Sequence, residues 1–105
     1  MIFIKTPVFT EDVKELLTDD EYSEFQQHLA DNPTAGDVIK QTGRLRKIRW
    51  ALPGKGKVKR GGVRVIYYHV NAADQIRLIL IYTKGIKDNL TPHEKKVLRS
   101  LNEKW

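Results

Sequence analysis

The sequence contains no cysteine, so it has neither a disulfide framework nor a zinc site built on thiolates. It also lacks any apolar run near the roughly 20 residues that a membrane-spanning helix requires. Lys5 and Pro7 interrupt the N-terminal segment before it could form the core of a signal peptide. These absences predict a soluble, cytoplasmic protein with no membrane partner.

Patterns that hold metals or nucleotides are missing as well. The three histidines, His28, His69 and His93, are far apart in sequence and show none of the short spacings of a zinc site. The glycines around Lys55 do not have the spacing of a P-loop, and no hydrolase triad is indicated. We therefore expect no metal and no small-molecule cofactor.

Acidic residues are absent from one long stretch of the chain. Residues 38–73 hold ten basic residues and no acidic one, whereas residues 1–37 hold two basic and nine acidic residues and carry a net charge of −7. Solvated surfaces usually mix both signs, so a stretch with one sign indicates a polyanionic partner, above all nucleic acid. Generic solubility and an anionic membrane surface are the alternatives, and no basic amphipathic helix accompanies the stretch to support the second.

A predicted hairpin, residues 45–70, occupies the centre of this basic stretch. Ile48, Trp50 and Leu52 alternate as in a strand, and residues 63–70 form a β-branched and aromatic run typical of a strand covered on both faces. Proline and glycines between residues 53 and 62 favour a turn. The basic residues of this tip suit phosphate, since lysine offers a compact charge and arginine a planar fork. They are Lys55, Lys57, Lys59 and Arg60.

The remaining segments predict three helices and further strands. Residues 2–5 read as a strand, Thr10 as the N-cap of a first helix, and residues 18–20 as the start of a second helix that ends near Asp31. After a turn at residues 71–74, residues 76–82 read as another strand.

A final helix is predicted to begin at Thr91, with Val97, Leu98 and Leu101 as its inward stripe. The order of elements predicts one α+β domain over residues 1–105. In it a small antiparallel sheet carries the two N-terminal helices and the C-terminal helix on one face.

A basic sheet surface is the candidate site. Arg64 opens the strand at residues 63–70, and the ends of neighbouring strands would bring Tyr82 and Lys84 close to it. Such a cluster suits cleavage of RNA without metal, in which the ribose 2′-hydroxyl attacks the adjacent phosphorus and cations stabilise the charge that builds on the phosphoryl oxygens. For Arg64 a salt bridge to one of the helices is the structural alternative.

Two sequence blocks carry a family resemblance. Residues 36–68, which end in Gly-Gly-x-Arg-x-Ile-Tyr-Tyr, and residues 78–98 closely resemble the RelE/HigB-like toxins of bacterial type II toxin–antitoxin systems, particularly the HigB-2-type branch. The resemblance covers about residues 20–101. It implies a fold related to small microbial ribonucleases and a ribosome-dependent mRNA endonuclease that cuts message in the ribosomal A site and inhibits translation. It also implies a cognate HigA-like helix-turn-helix antitoxin as partner.

The resemblance assigns roles by position. Arg64 matches the arginine that stabilises the transition state, Lys57, Lys59 and Arg60 match the basic loop before it, and Lys84 matches the lysine that closes the following strand. Tyr82 is the nearest candidate to stack on the cut nucleotide, with a place in the core as the alternative. The general base is not assigned, because residues 85–91 lack the tyrosine of described RelE members. The RNA-binding candidates are Arg46, Lys47, Arg49, Lys55 and Lys87.

Two other classes of function stay open at this point. A basic sheet that binds RNA or DNA without cutting it needs the same residue types as a nuclease. An interaction protein would instead dock its basic patch on an acidic partner. Replacing Arg64 separates the first alternative from the nuclease, since a binder loses modest affinity and a nuclease loses rate by orders of magnitude.

Overall fold

The computed structural model describes residues 1–51, 62–83 and 90–105, which form five strands, three α-helices and one short 3-10 turn. In chain order these are β1 (Ile2–Lys5), α1 (Pro7–Leu16), α2 (Asp19–Asp31), β2 (Asp37–Val38), β3 (Arg46–Trp50), β4 (Val63–Val70), the 3-10 turn (Asn71–Ala73), β5 (Gln75–Thr83) and α3 (Pro92–Glu103). The predicted α+β class is confirmed. The predicted tip of the hairpin, including Leu52, lies outside the described residues.

The strands form one sheet in the order β1-β5-β4-β3-β2. Neighbours from β2 to β5 are antiparallel, as predicted, but β1 runs parallel to β5, with Ile2 opposite Gln75 and Lys5 opposite Leu78. The expectation of a wholly antiparallel sheet was therefore wrong for this one pair. A parallel pair needs a long connection, and here residues 6–74 lie between the two strands. The Ile2 N–H donates to the Asp74 carbonyl at 3.0 Å and fixes the register.

The first helix begins earlier than predicted. Thr6, not Thr10, is the N-cap, because Pro7 occupies the first helical position and the Phe9 N–H donates to Thr6 Oγ1 at 3.0 Å. Thr6 Oγ1 in turn donates to the Ile79 carbonyl at 2.8 Å, which fastens the start of α1 to β5. The second helix begins as predicted, since Thr18 is its N-cap.

The main core lies between α1, α2 and one face of the sheet. Phe9 and Phe25 are fully buried there against Val63, Val65 and Tyr67, which are alternate residues of β4. Side chains of a strand alternate between faces, so Arg64 and Ile66 belong to the other face. We call the two surfaces the α1/α2 face and the α3 face.

The last helix covers the second surface, so the prediction that all helices share one face was wrong. Leu98 packs against Ile66 of the α3 face, and Asn102, one turn later, accepts a hydrogen bond from Arg77 at its side-chain oxygen at 3.1 Å. Val97 and Leu101, predicted to point inward, are 51% and 47% exposed. A helix presents only one narrow stripe to a sheet, and here Leu98 and Asn102 fill it.

Candidate nucleic-acid interface

Three strand ends meet at one end of the sheet. Trp50, the last residue of β3, pairs with Val63, the first of β4, and Val63 pairs with Thr83, the last of β5. Gly62 precedes β4 at φ +59°, and a side chain there would clash with the Trp50 carbonyl, so only glycine allows this approach. The candidate site therefore lies at the end of the sheet where β3 and β5 end and β4 begins.

Most of the cationic residues predicted for the site belong to the two segments that follow β3 and β5 in the chain. Residues 52–61 follow Ala51 and residues 84–89 follow Thr83, and both segments lie outside the described residues. The roles predicted for them remain predictions. The residues concerned are Lys55, Lys57, Lys59, Arg60, Lys84 and Lys87.

A row of three side chains crosses the α3 face beside these strand ends. Arg64 of β4 lies opposite Arg49 of β3 on one side and opposite Tyr82 of β5 on the other. Directly opposite residues place their Cβ atoms about 5 Å apart, so the three side chains are neighbours. Arg64 is 5% exposed and Arg49 is exposed. The sheet thus brings together two arginines and one tyrosine that are distant in sequence.

Lys47 occupies the next row on the same face, opposite Ile66. Together with Arg49 it also lines a cleft of about 490 Å³ at the outer edge of β3, to which His28 of α2 and Asp37 contribute. Lys47 and Arg49 therefore lie on the same face as Arg64, and their role in RNA binding remains a prediction.

Arg46 lies apart from this group. Its register partner is Tyr67, which belongs to the α1/α2 face, and its guanidinium donates to the Gly36 carbonyl at 2.7 Å and to the Thr34 carbonyl at 3.2 Å. The structure thus gives Arg46 backbone partners in the loop before β2. These two hydrogen bonds leave Arg46 less available to RNA than Arg49.

The same loop is held by a buried tyrosine. The hydroxyl of Tyr67 donates to the Pro33 carbonyl and accepts the Gly36 N–H, each at 2.9 Å. Burial raises the pKa of Tyr67 above its ordinary value, so the hydroxyl stays protonated and able to donate. A methyl group at Gly36 would lie 2.9 Å from the Tyr67 ring, so the loop requires glycine at this position.

Sequence reasoning missed a groove beside Tyr82. Asp12 of α1 and His93 and Glu94 of α3 line it together with Tyr82. No local motif joins these residues, because the groove forms where α1, β5 and α3 meet. The sequence did not indicate that His93 lies beside Tyr82.

Within residues 1–51, 62–83 and 90–105, no three His, Asp or Glu side chains are grouped to hold a metal ion. Among the same residues, no helix is both long enough and apolar enough to cross a lipid bilayer.

The fold has a counterpart among solved structures. A chain of the intact E. coli RelBE toxin-antitoxin complex superimposes with a TM-score of 0.57 over 78% of this chain and 94% of that chain, at 12% sequence identity. The fold is RelE-like. No family model matches the sequence. At this identity the likeness concerns the fold, and the arginine row is a property of this chain.

Proposed function

We propose that this protein is a RelE-type toxin of the HigB-2-type branch, a ribosome-dependent mRNA endonuclease that needs no metal. The observation that carries the proposal is the Arg49–Arg64–Tyr82 row on a RelE-like sheet. Two arginines directly opposite each other on neighbouring strands can hold one phosphate between them. A nuclease of this kind needs cations that are already positioned when phosphoryl charge develops.

The reaction that we propose uses the row and the ordinary chemistry of RNA. A general base removes the proton of the ribose 2′-hydroxyl, the 2′-oxygen attacks the adjacent phosphorus, and the 5′-oxygen leaves with a proton from an acid. The products are a 2′,3′-cyclic phosphate and a fragment with a 5′-hydroxyl. Arg64 stabilises the negative charge on the phosphoryl oxygens, since its guanidinium is fixed by burial before substrate arrives. Tyr82, beside it, stacks on the base next to the cut.

The remaining proposed roles belong to binding. Lys47 and Arg49 hold the backbone of the message or of ribosomal RNA along β3. We propose that the residues of the segments 52–61 and 84–89 complete the cationic site: Lys55, Lys57, Lys59, Arg60, Lys84 and Lys87.

In the proposed setting the toxin works in the cytoplasm, where translating ribosomes are. A HigA-like helix-turn-helix antitoxin holds it inactive, because a free toxin would arrest its own host. The two-sided charge agrees with the substrate, since the acidic helices α1 and α2 pack on the face opposite Arg64.

An in vitro translation reaction with a defined message tests the proposal. We expect primer extension to reveal new 5′ ends at codon positions when ribosomes are present, and none in a matched tube that lacks ribosomes. Mg²⁺ is kept at the same concentration in both tubes, because ribosomes need that ion. Intact message in both tubes would contradict the proposed nuclease activity, and the basic face would then have to be explained as a binding surface.

A further inference from the structure

The cleft at the outer edge of β3 contains groups that the proposed reaction leaves unused. Its volume is about 490 Å³, and its polar lining comprises one ring, one carboxylate and two cations. These belong to His28 of α2, Asp37 of β2, and Lys47 and Arg49 of β3. A cleft of this volume admits a nucleobase together with its ribose.

The backbone edge of β3 is uncovered along this cleft. β2 ends at Asp37, which pairs with Lys47. The Ile39 N–H donates to the Leu45 carbonyl at 2.8 Å, so the backbone groups of Leu45 face this edge. Alternate residues of a strand face the same edge, so the backbone of Arg49 faces it as well. Among the described residues no strand pairs with Arg49 on this side, and its N–H and carbonyl are therefore open to a ligand.

His28 supplies a flat surface inside the cleft. Its half-buried ring packs against Trp50 with the ring centroids 5.2 Å apart, and Trp50 meets the edge of Phe25 at 5.6 Å. Phe25 is fully buried, so this series of rings holds His28 in place from the core outward. The bases of single-stranded RNA stack on aromatic side chains, histidine among them.

The carboxylate of Asp37 can discriminate between bases. It is exposed, and in the described part of the chain it has neither a hydrogen-bond partner nor an ion-pair partner. An ionised carboxylate only accepts hydrogen bonds, and its two oxygens lie side by side. Guanine presents two neighbouring donors, N1–H and N2–H, on its Watson–Crick edge, whereas adenine, cytosine and uracil present a donor beside an acceptor. Guanine is therefore the base that fits Asp37.

The two cations make a nucleotide a better occupant than an uncharged ligand. Lys47 and Arg49 outnumber the single carboxylate, so the cleft attracts a phosphate. Arg49 also lies opposite Arg64, one strand spacing of about 5 Å away. A nucleotide in the cleft is therefore close enough to belong to the same RNA strand as a phosphate bound at Arg64.

We propose that this cleft binds one guanosine of the single-stranded message. Its base stacks on His28, its Watson–Crick edge meets the Asp37 carboxylate, and its phosphate lies between Lys47 and Arg49. The inference rests on the proposed function for the identity of the RNA. It makes Asp37 the residue that sets base preference beside the cut.

Fluorescence anisotropy without ribosomes tests this, with labelled oligouridines that carry one central guanosine, inosine or adenosine. We expect the wild-type protein to bind the guanosine oligonucleotide about tenfold more tightly than the adenosine one, with inosine, which lacks the N2 amino group, between them. Asp37→Asn puts a donor against guanine, so the preference should fall to within about twofold.

The ratio of the affinities is the readout, because loss of a carboxylate raises the affinity for every RNA. Asp31→Asn is the matched control, since it makes the same change of charge at an exposed aspartate at the end of α2. It should keep the wild-type ratio.

Message cleavage, measured separately in the translation reaction, distinguishes this inference from the proposed function. A guanosine preference that Asp37→Asn abolishes supports the cleft, even in a chain that cuts no message, which would remove only the nuclease. Equal affinity of the wild-type protein for the three oligonucleotides, or an equal preference in Asp37→Asn and Asp31→Asn, would overturn the inference even where message is cut. Guanosine 5′-monophosphate that binds as tightly as the guanosine oligonucleotide would overturn it too, because the ligand would then be a free nucleotide.

Discussion

The loop that leads into β2 depends on one buried hydroxyl, which makes Tyr67→Phe an informative substitution. The Tyr67 ring is fully buried, and its hydroxyl makes two hydrogen bonds of 2.9 Å, one to the Pro33 carbonyl and one from the Gly36 N–H. Removing the hydroxyl loses both bonds and leaves the buried Gly36 N–H without a partner, whereas the half-buried Pro33 carbonyl can turn to water.

The expected cost follows from these two groups. A lost hydrogen bond costs about 1 kcal/mol net, and a buried donor left unsatisfied costs about 1–3 kcal/mol. We therefore expect Tyr67→Phe to lower the free energy of unfolding by about 2–3 kcal/mol. For a domain of this size that corresponds to a fall in Tm of about 10–20 °C.

Urea unfolding followed by tryptophan fluorescence measures this change. Tyr68→Phe is the matched control, because the neighbouring Tyr68 ring lies half-buried against Arg77 and makes no hydrogen bond to the described residues. We expect the control to change stability by less than about 0.5 kcal/mol. A Tyr67→Phe protein as stable as the Tyr68→Phe protein would refute the reasoning that the hydroxyl fixes this loop.

Three further substitutions, at Arg46, Arg49 and Tyr22, give testable predictions. Arg46→Ala should lower the free energy of unfolding by about 1–2 kcal/mol, since it removes two hydrogen bonds to backbone carbonyls. Arg49→Ala should leave stability unchanged. It should instead reduce, by about 1, the slope of the logarithm of affinity for a single-stranded RNA oligonucleotide against the logarithm of salt concentration. Equal effects of the two variants on RNA binding would contradict the assignment of Arg46 to a structural role and of Arg49 to RNA binding. Burial raises the pKa of Tyr22 to about 12, so the unfolded chain loses this proton near pH 10 while the folded chain keeps it. Stability should therefore fall between pH 10 and about 12, and less steeply in Tyr22→Phe; identical slopes in urea unfolding would show that Tyr22 does not contribute.

Local signals in the sequence predicted the helix starts that depend on neighbours in the chain. Thr18 and Thr91 both form capping boxes with a glutamate three residues later, so each start is encoded within four residues. The start of α1 was missed because Thr10 was preferred to Thr6, although Pro7 is a common first helical residue. The hairpin of β3 and β4 was predicted because both strands have clear β patterns and adjoin in sequence.

Features that depend on distant contacts were not predictable in the same way. The parallel pairing of β1 with β5 joins residues 2–5 to residues 75–78, and no local pattern encodes it. The position of α3 on the second face depends on Asn102, a polar residue that meets Arg77 and replaces an apolar contact. The backbone partners of Arg46 likewise come from a loop that sequence spacing does not place beside it.

The candidate site likewise has features that the sequence predicted and features that depend on distant contacts. The pairing of Arg64 with Tyr82 agrees with the prediction that the ends of neighbouring strands bring these two residues close, whereas the place of Arg49 opposite Arg64 was not predicted. The groove beside Tyr82 was not predicted, since it needs α1, β5 and α3 in their final positions. The catalytic roles of the cations in residues 52–61 and 84–89 remain predictions.

The most direct test of the account is the rate at which ribosome-bound message is cut by Arg64→Ala. Arg99→Ala is the matched control, because Arg99 is an exposed arginine of α3 that pairs with Glu103 and lies against Gly43, before the start of β3. We expect Arg64→Ala to lower the single-turnover rate by about 10²–10³-fold, with ribosome binding changed far less, and Arg99→Ala to match wild type. Equal rates for Arg64→Ala and wild type would contradict the claim that Arg64 stabilises the transition state.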